Sequence, residues 1–253
     1  MPLMLELRPD EIHVWLAFHP ADPHPSRREE YGALLSALER EREERFRFEE
    51  DRFRFRVTRA MTRRVLAGYL GVDPSACRFE DNEYGRPSLV ARATGDMLSF
   101  NLSHTRDLIV LAVTRGREIG IDVERVQGQR PTADLARHYF ADFESDHVMN
   151  APEALREDLF FQYWTLKESY IKARGLGLAI PLGKFGFHLG GESPKLWTHA
   201  DLGDDAARWS FMQWQPTDAH WAAICVERTA GGVPTVHTRD FSTLVLASPH
   251  APA

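Results

Sequence analysis

Phe160–Leu178 reads FFQYWTLKESYIKARGLGL, and the architecture of the chain turns on how this stretch folds. As a helix it places Glu168 and Lys172 four residues apart, on one face. Trp164, four residues before Glu168, continues that row. Phe160, Phe161, Tyr163, Leu166, Tyr170 and Ile171 cover the rest with apolar or aromatic surface. A carboxylate and an ammonium one turn apart have two readings. One is a surface ion pair, which is common and weak. The other is a site: the carboxylate could bind a metal or take a proton, and the lysine could hold a phosphate or protonate a leaving oxygen.

Working outward, the helix is expected from about Pro152 to Arg174, closed by Gly175 and Gly177. Two shorter helices, Pro131–Tyr139 and Asp142–Met149, precede it. A β region follows, with Ile180–Leu182, Phe185–Leu189, Arg208–Gln215 and His220–Glu227. Upstream, Met97–Leu102, Leu108–Thr114 and Ile119–Val126 are close-spaced strands that suggest an antiparallel meander. Ile12–Phe18 is a first strand, followed by helices over Tyr31–Phe46 and Asp51–Leu70, the latter stopped by Gly71. Its apolar stripe is Phe53, Val57, Met61 and Val65 or Leu66. The dense charges of Glu39–Arg45 read as a solvated face. Arg52, Arg54, Arg56, Arg59, Arg63 and Arg64 exceed what solubility needs, so some are expected to face phosphate. The fold class is α+β, in two similar halves that each run from helix to strands. Residues 1–116 form the first half and 117–228 the second, and 229–253 read as a loose tail.

The 253 residues suffice for a sizeable core. A net charge of −6 argues against a nucleic-acid binder but permits a local basic patch. Cys77 and Cys225 lack metal-ligand spacing and demand no oxidising compartment. Neither a signal peptide nor a membrane-spanning run is expected, so the reading is a cytoplasmic protein without membrane partners.

Three further stretches bear chemistry. In Gly120–Glu124 (GIDVE), a strand puts Ile121 and Val123 on the core face and both Asp122 and Glu124 on the other. Two carboxylates so close need compensation, and magnesium takes such ligands together with substrate phosphates. The plainer reading is a solvent-facing strand. Ser103 and His104 end an apolar strand. Adjacent extended residues point opposite ways, so the two do not pair as nucleophile and base. Phosphate or ribose contact suits them better, beside the alternative of a structural histidine. Arg86, between Gly85 and Pro87, is either an exposed turn residue or one that reaches a ligand. Together these residues suit a magnesium-dependent phosphoryl-type transfer.

The chain resembles the 4′-phosphopantetheinyl transferases of the long, surfactin-synthetase-activating type. The resemblance rests on Phe100–Thr105 (FNLSHT), Gly120–Glu124, Phe160–Leu178 continuing through Leu182, and more weakly on Tyr84–Pro87 (YGRP), in that order. It implies two α/β halves with pseudo-twofold symmetry, each a small antiparallel sheet packed on helices, with coenzyme A in the cleft between them. It implies that Asp122, Glu124 and Glu168 hold Mg2+. It makes Glu168 and Lys172 the catalytic pair, with Lys172 also on the pyrophosphate. Ser103, His104 and Arg86 become coenzyme A contacts, Arg86 standing where the family has a lysine. Arg40, Arg42 and Arg45 are the nearest candidates for the 3′-phosphate, with Glu39 or Glu41 in place of a family lysine and arginines of the next helix as substitutes. The implied enzyme is a monomer. It moves phosphopantetheine from coenzyme A to a serine of an apo acyl or peptidyl carrier protein and releases adenosine 3′,5′-bisphosphate. A metal-dependent nuclease and a non-catalytic coenzyme A binder are the alternatives.

Overall fold

The computed structural model describes residues 4–18, 25–90, 98–126 and 132–246. Residues 19–24, Met97, Pro131 and the chain beyond 246, all within segments read above, lie outside the described residues. In chain order the first elements are β1 (Glu11–Phe18), α1 (Pro25–Ala33), α2 (Ala37–Glu44), α3 (Glu49–Leu70), β2 (Phe79–Asp81), β3 (Pro87–Leu89), β4 (Leu98–His104), β5 (Leu108–Arg115) and β6 (Ile119–Arg125). Then come α4 (Thr132–Tyr139), α5 (Asp142–Asn150), α6 (Glu153–Arg174), β7 (Phe185–His188), β8 (Lys195–Thr198), β9 (Trp209–Thr217), β10 (His220–Glu227), β11 (Thr235–Asp240) and α7 (Phe241–Leu246). No helix among the described residues is long and apolar enough to cross a membrane.

The fold is α+β. One sheet has the order β11-β1-β5-β4, and the second has β6-β10-β9. Strand alternation assigns their faces. Ile12, Val14 and Leu16 of β1 and Leu108, Val110 and Ala112 of β5 meet Ile119, Ile121 and Val123 of β6 and Ala222, Ile224 and Val226 of β10. This core joins the two sheets, and each large side chain in it contributes about 1.5–3 kcal/mol by leaving water. The opposite face of the first sheet packs on α3 through Trp15, Ile109, Leu111 and Val113. The opposite face of the second, with Ala223 and Cys225, packs on α6 through residues such as Phe161 and Leu166. The layers therefore run helix, sheet, sheet, helix. The two halves are alike: α3 and α6 each span 22 residues and end at a left-handed glycine, Gly71 or Gly175.

Four local expectations need correction. The three close-spaced strands do not form one meander: β4 pairs with β5 in the first sheet, whereas β6 pairs with β10 in the second, because the apolar face of β6 packs on the first sheet rather than extending it. The helix expected over Tyr31–Phe46 is two, because Ser36 begins a new one. Glu39 N–H donates to Ser36 Oγ (3.3 Å) and Ser36 N–H to Glu39 Oε2 (2.8 Å), a capping box that the S-x-x-E spacing encodes. The acidic run is not all solvated either. Glu39 and Glu43 are buried, Glu39 paired with Arg59 and Arg63 and Glu43 with Arg56. Finally, the described chain after Arg228, up to residue 246, is not a loose tail. β11 lies parallel to β1 with Val236 opposite Ile12, and Phe241 and Leu244 of α7 are buried in the first core.

Gly120 sets how closely β6 approaches α6. A Cβ there would stand 2.0 Å from Ser169 O and 2.4 Å from Ala173 N, both helix backbone atoms. Gly120→Ala is expected to push strand and helix apart, at a cost of about 2–3 kcal/mol. A urea midpoint unchanged from wild type would show that α6 does not bear on β6 in this way.

Candidate active site

The site forms where the edge strands of the two sheets meet. β4 ends the first sheet and β6 the second. Asn101 on β4 turns its side chain across the gap, and its Oδ1 accepts the Ile121 N–H at 2.9 Å. That bond satisfies a backbone donor on an edge strand. Two residues further along β4, Ser103 faces the same way and its Oγ donates to Asp122 Oδ1 at 2.7 Å. With Gly120 holding β6 against α6, Asp122 also comes under the helix. Lys172 Nζ donates to Asp122 Oδ1 at 2.6 Å and to Ser103 Oγ at 2.8 Å.

A cavity of about 340 Å³ is lined by Ser103, His104, Asp122, Glu124, Trp164, Glu168 and Lys172. All six residues singled out in the FNLSHT, GIDVE and WTLKESYIK motifs therefore share one wall. A larger cavity of about 420 Å³ adjoins it through His104, Glu168 and Lys172. That cavity reaches from α6 to Thr58 and Arg59 on α3 and to Tyr84–Pro87 between β2 and β3. Its size suits a small-molecule ligand. The Ser103 hydroxyl, donating to Asp122 and accepting from Lys172, ties these two charged groups together.

The electrostatics are unbalanced toward negative charge. Asp122 is buried, and its Oδ2 has no hydrogen-bond partner. Burial raises the Glu168 carboxyl above the usual carboxylate range, the charge of Asp122 raises it further, and Lys172 offsets part of this. An orphaned oxygen and two repelling acids fit a hard cation with oxygen ligands. The donors do not yet converge: among the described residues no three His, Cys, Asp or Glu side chains form a ready metal-holding group. Lys172 instead supplies the positive charge beside Asp122.

The N-terminal arginines separate. Arg42 lines the larger cavity. Arg40 lines a neighbouring groove, together with Arg42, Arg59 and Arg63, and Arg45, the C-cap residue of α2, lines neither. Arg59, one of six arginines on its helix, reaches the cavity as well. The six are paired less with ligand space than with acids, including Glu30, Glu39, Glu43, Glu49 and Asp51. Arg86 stands in the cavity wall, but its guanidinium is bonded to protein. Nη1 donates to Glu118 Oε2 and to Ala173 O, both at 2.9 Å, and Nη2 to Ile119 O at 3.1 Å. Sequence reasoning missed Asn101 and Gly120. Asn101 carried a signal, as a polar residue between Phe100 and Leu102 on an apolar strand. The closeness of Gly120 to α6 had no local one.

A model of the 4′-phosphopantetheinyl transferase superfamily matches residues 118–225, and one of the N-terminal region of 4′-phosphopantetheinyl transferases matches residues 22–116. The 4′-phosphopantetheinyl transferase HetI of Nostoc sp. is 38% identical over 229 residues, spanning 89% of this chain and 91% of that protein. A phosphopantetheinyl transferase of Thraustochytrium sp. is 32% identical over 222 residues, or 82% and 75% of the two chains. The 4′-phosphopantetheinyl transferase Sfp of Bacillus subtilis is 30% identical over 162 residues, 64% of this chain and 69% of that one. With its two matched regions and a relative aligned over nearly its whole length, the chain belongs to the 4′-phosphopantetheinyl transferase superfamily.

Proposed function

We propose that this protein transfers the 4′-phosphopantetheine group of coenzyme A to a serine of an apo acyl or peptidyl carrier protein, releasing adenosine 3′,5′-bisphosphate. The observation that carries the reading is the meeting of Asp122, Glu168, Lys172 and Ser103 at a cavity shared by both halves. The nucleophile in this reading is the serine of the carrier protein. The nuclease and the non-catalytic binder find no support in the relatives. Both walls of the site come from one chain, which supports action as a monomer.

Mg2+ is the proposed cofactor: Asp122, Glu124 and Glu168 would hold it, and when bound it supplies charge stabilisation to phosphate oxygens. Lys172 reaches both cavities and is placed to hold the pyrophosphate and to protonate the departing phosphate oxygen. Glu168 takes the proton of the carrier serine, whose oxygen then attacks the β-phosphorus. Ser103 keeps Lys172 and Asp122 in line. His104 contacts coenzyme A from the wall common to both cavities. Arg42 and Arg59 are the cations nearest for its 3′-phosphate.

Intact-mass spectrometry tests the reading. An apo carrier incubated with the protein, coenzyme A and magnesium should gain one phosphopantetheine mass, and EDTA should abolish the gain. No gain with several carrier types, coenzyme A still binding, would leave only a binder.

The raised pKa of Glu168 has a sign. A carboxyl raised in the folded state holds its proton more tightly than in the unfolded chain. Its stabilising contribution is present below the unfolded pKa and is lost as pH rises through the folded value. A cation must displace that proton, so magnesium binding strengthens with pH. The magnesium-induced rise in melting temperature is expected to be larger at about pH 8 than at about pH 5.5. Equal rises would remove Glu168 from the proposed ligand set.

A further inference from the structure

The hairpin of β2 and β3 belongs to the first half, yet its turn is bonded to the second. Asn82 shapes the turn by accepting the N–H groups of Tyr84 and Arg86 on Oδ1 at 3.0 and 2.9 Å. Its Nδ2 donates to Gly175 O at 2.8 Å. Arg86 donates from Nη1 to Ala173 O and Glu118 Oε2 and from Nη2 to Ile119 O. Ala173 and Gly175 close α6, where the helix itself offers carbonyls no partner. Ile119 begins β6. One guanidinium thus ties the end of α6 to the start of β6, at the close approach that Gly120 permits. Lys172 immediately precedes Ala173, and Asp122 lies three residues past Ile119. The clasp therefore sets, from one end, the separation across which Lys172 meets Asp122.

We propose that Arg86 is a positioning residue, whose fork fixes the placement of Lys172 against Asp122, rather than only a charge for a phosphate. The inference rests on the transfer reaction proposed above. Its chemistry discriminates between the two roles. Two nitrogens of a planar guanidinium reach three acceptors, one on α6, one on β6 and one on Glu118 just before β6, and an ammonium on a single atom does not span them. A lysine would nevertheless keep a charge for a phosphate.

Arg86→Lys in the full chain separates these. Transfer is followed by intact mass with coenzyme A, magnesium and an apo carrier protein, beside hydrogen exchange of the amides around Ile171–Gly175. The expected result is a kcat lowered about tenfold to a hundredfold, as misplacement of reacting groups produces. The KM for coenzyme A should be unchanged and exchange at the end of α6 faster. Asn82→Ala, which removes the Gly175 bond without changing charge, should lower kcat in the same direction, and it keeps the test open if Arg86→Lys fails to fold. A raised KM with unchanged kcat in Arg86→Lys would make Arg86 a coenzyme A contact and overturn the proposal. A lower melting temperature with both constants unchanged would make it merely structural and equally overturn it. If wild type transfers nothing, the reaction fails as a reading, while exchange still reports whether the clasp holds α6 to β6.

Discussion

Asp122→Ala is expected to lower phosphopantetheine transfer by about a thousandfold while the chain stays folded. Asp122 is one corner of the triangle of contacts, with Ser103 and Lys172, that joins the three motifs. Its Oδ1 receives Lys172 and Ser103, and its Oδ2 is the orphaned oxygen that fits a cation. Its removal takes away a proposed magnesium ligand and frees Lys172 from its anchor. Stability should change little, for two reasons. The loss relieves the repulsion by Asp122 that adds to burial in raising the Glu168 carboxyl. Lys172, about a quarter exposed at 26%, can be solvated once its partner is gone. Intact mass of the carrier measures the transfer, and a thermal melt measures the fold. Wild-type turnover by this variant would remove the proposed site altogether.

Lys167→Ala is expected to act in the opposite manner, through the fold. Lys167 and Glu144 are both fully buried, with Nζ 2.7 Å from Oε2. Nζ also donates to Leu182 O at 2.9 Å and to Phe185 O at 2.7 Å. Glu144 accepts the N–H groups of Ala141 at 3.0 Å and Phe187 at 2.8 Å. Burial drives the Lys167 ammonium down in pKa and the Glu144 carboxyl up; each partner offsets part of the other's shift, and the Ala141 and Phe187 N–H groups offset part of that of Glu144. Cutting the lysine back leaves a buried carboxylate without its counter-ion and two carbonyls without donors. The cost is about 3–5 kcal/mol, a large part of the about 5–15 kcal/mol that holds a domain folded. Urea unfolding gives the number. The double variant Glu144→Gln with Lys167→Met should recover part of the loss, since no lone charge remains buried. A single variant within about 1 kcal/mol of wild type would mean that water or another cation reaches Glu144.

Lys167 and Glu168 show how far local pattern carries. They are neighbours in sequence, and both were visible on one helix. Only Glu168 was assigned a role, through its spacing to Lys172. That Lys167 points into a sealed core depends on Glu144 and on the turn at Leu182, which no helical period reveals. The arginines of α3 behave likewise. Their number suggested phosphate, but the acids that occupy most of them come largely from α1 and α2. Which arginine borders the cavity is decided by the opposing half. The tail failed for a related reason. β11 is short and alternates weakly, and what makes it a strand is its parallel register with β1 at the other end of the chain.

The sequence by itself determined the elements and their apolar faces. The alternation in Gly120–Glu124 sent Ile121 and Val123 to the inter-sheet core and left Asp122 and Glu124 on the other face, as the structure has them. Helical spacing put Glu168 and Lys172 on one row, and the order of the motifs marked the family. Tertiary structure alone decided what those faces meet. It brought Ser103 to Asp122 across two edge strands, seated β6 on α6 at Gly120, and turned Arg86 from a loop cation into a clasp. The physical reason is range. Periodicity follows from backbone geometry within a few residues, whereas these contacts join residues from 19 to 87 positions apart, through packing that only the folded chain creates.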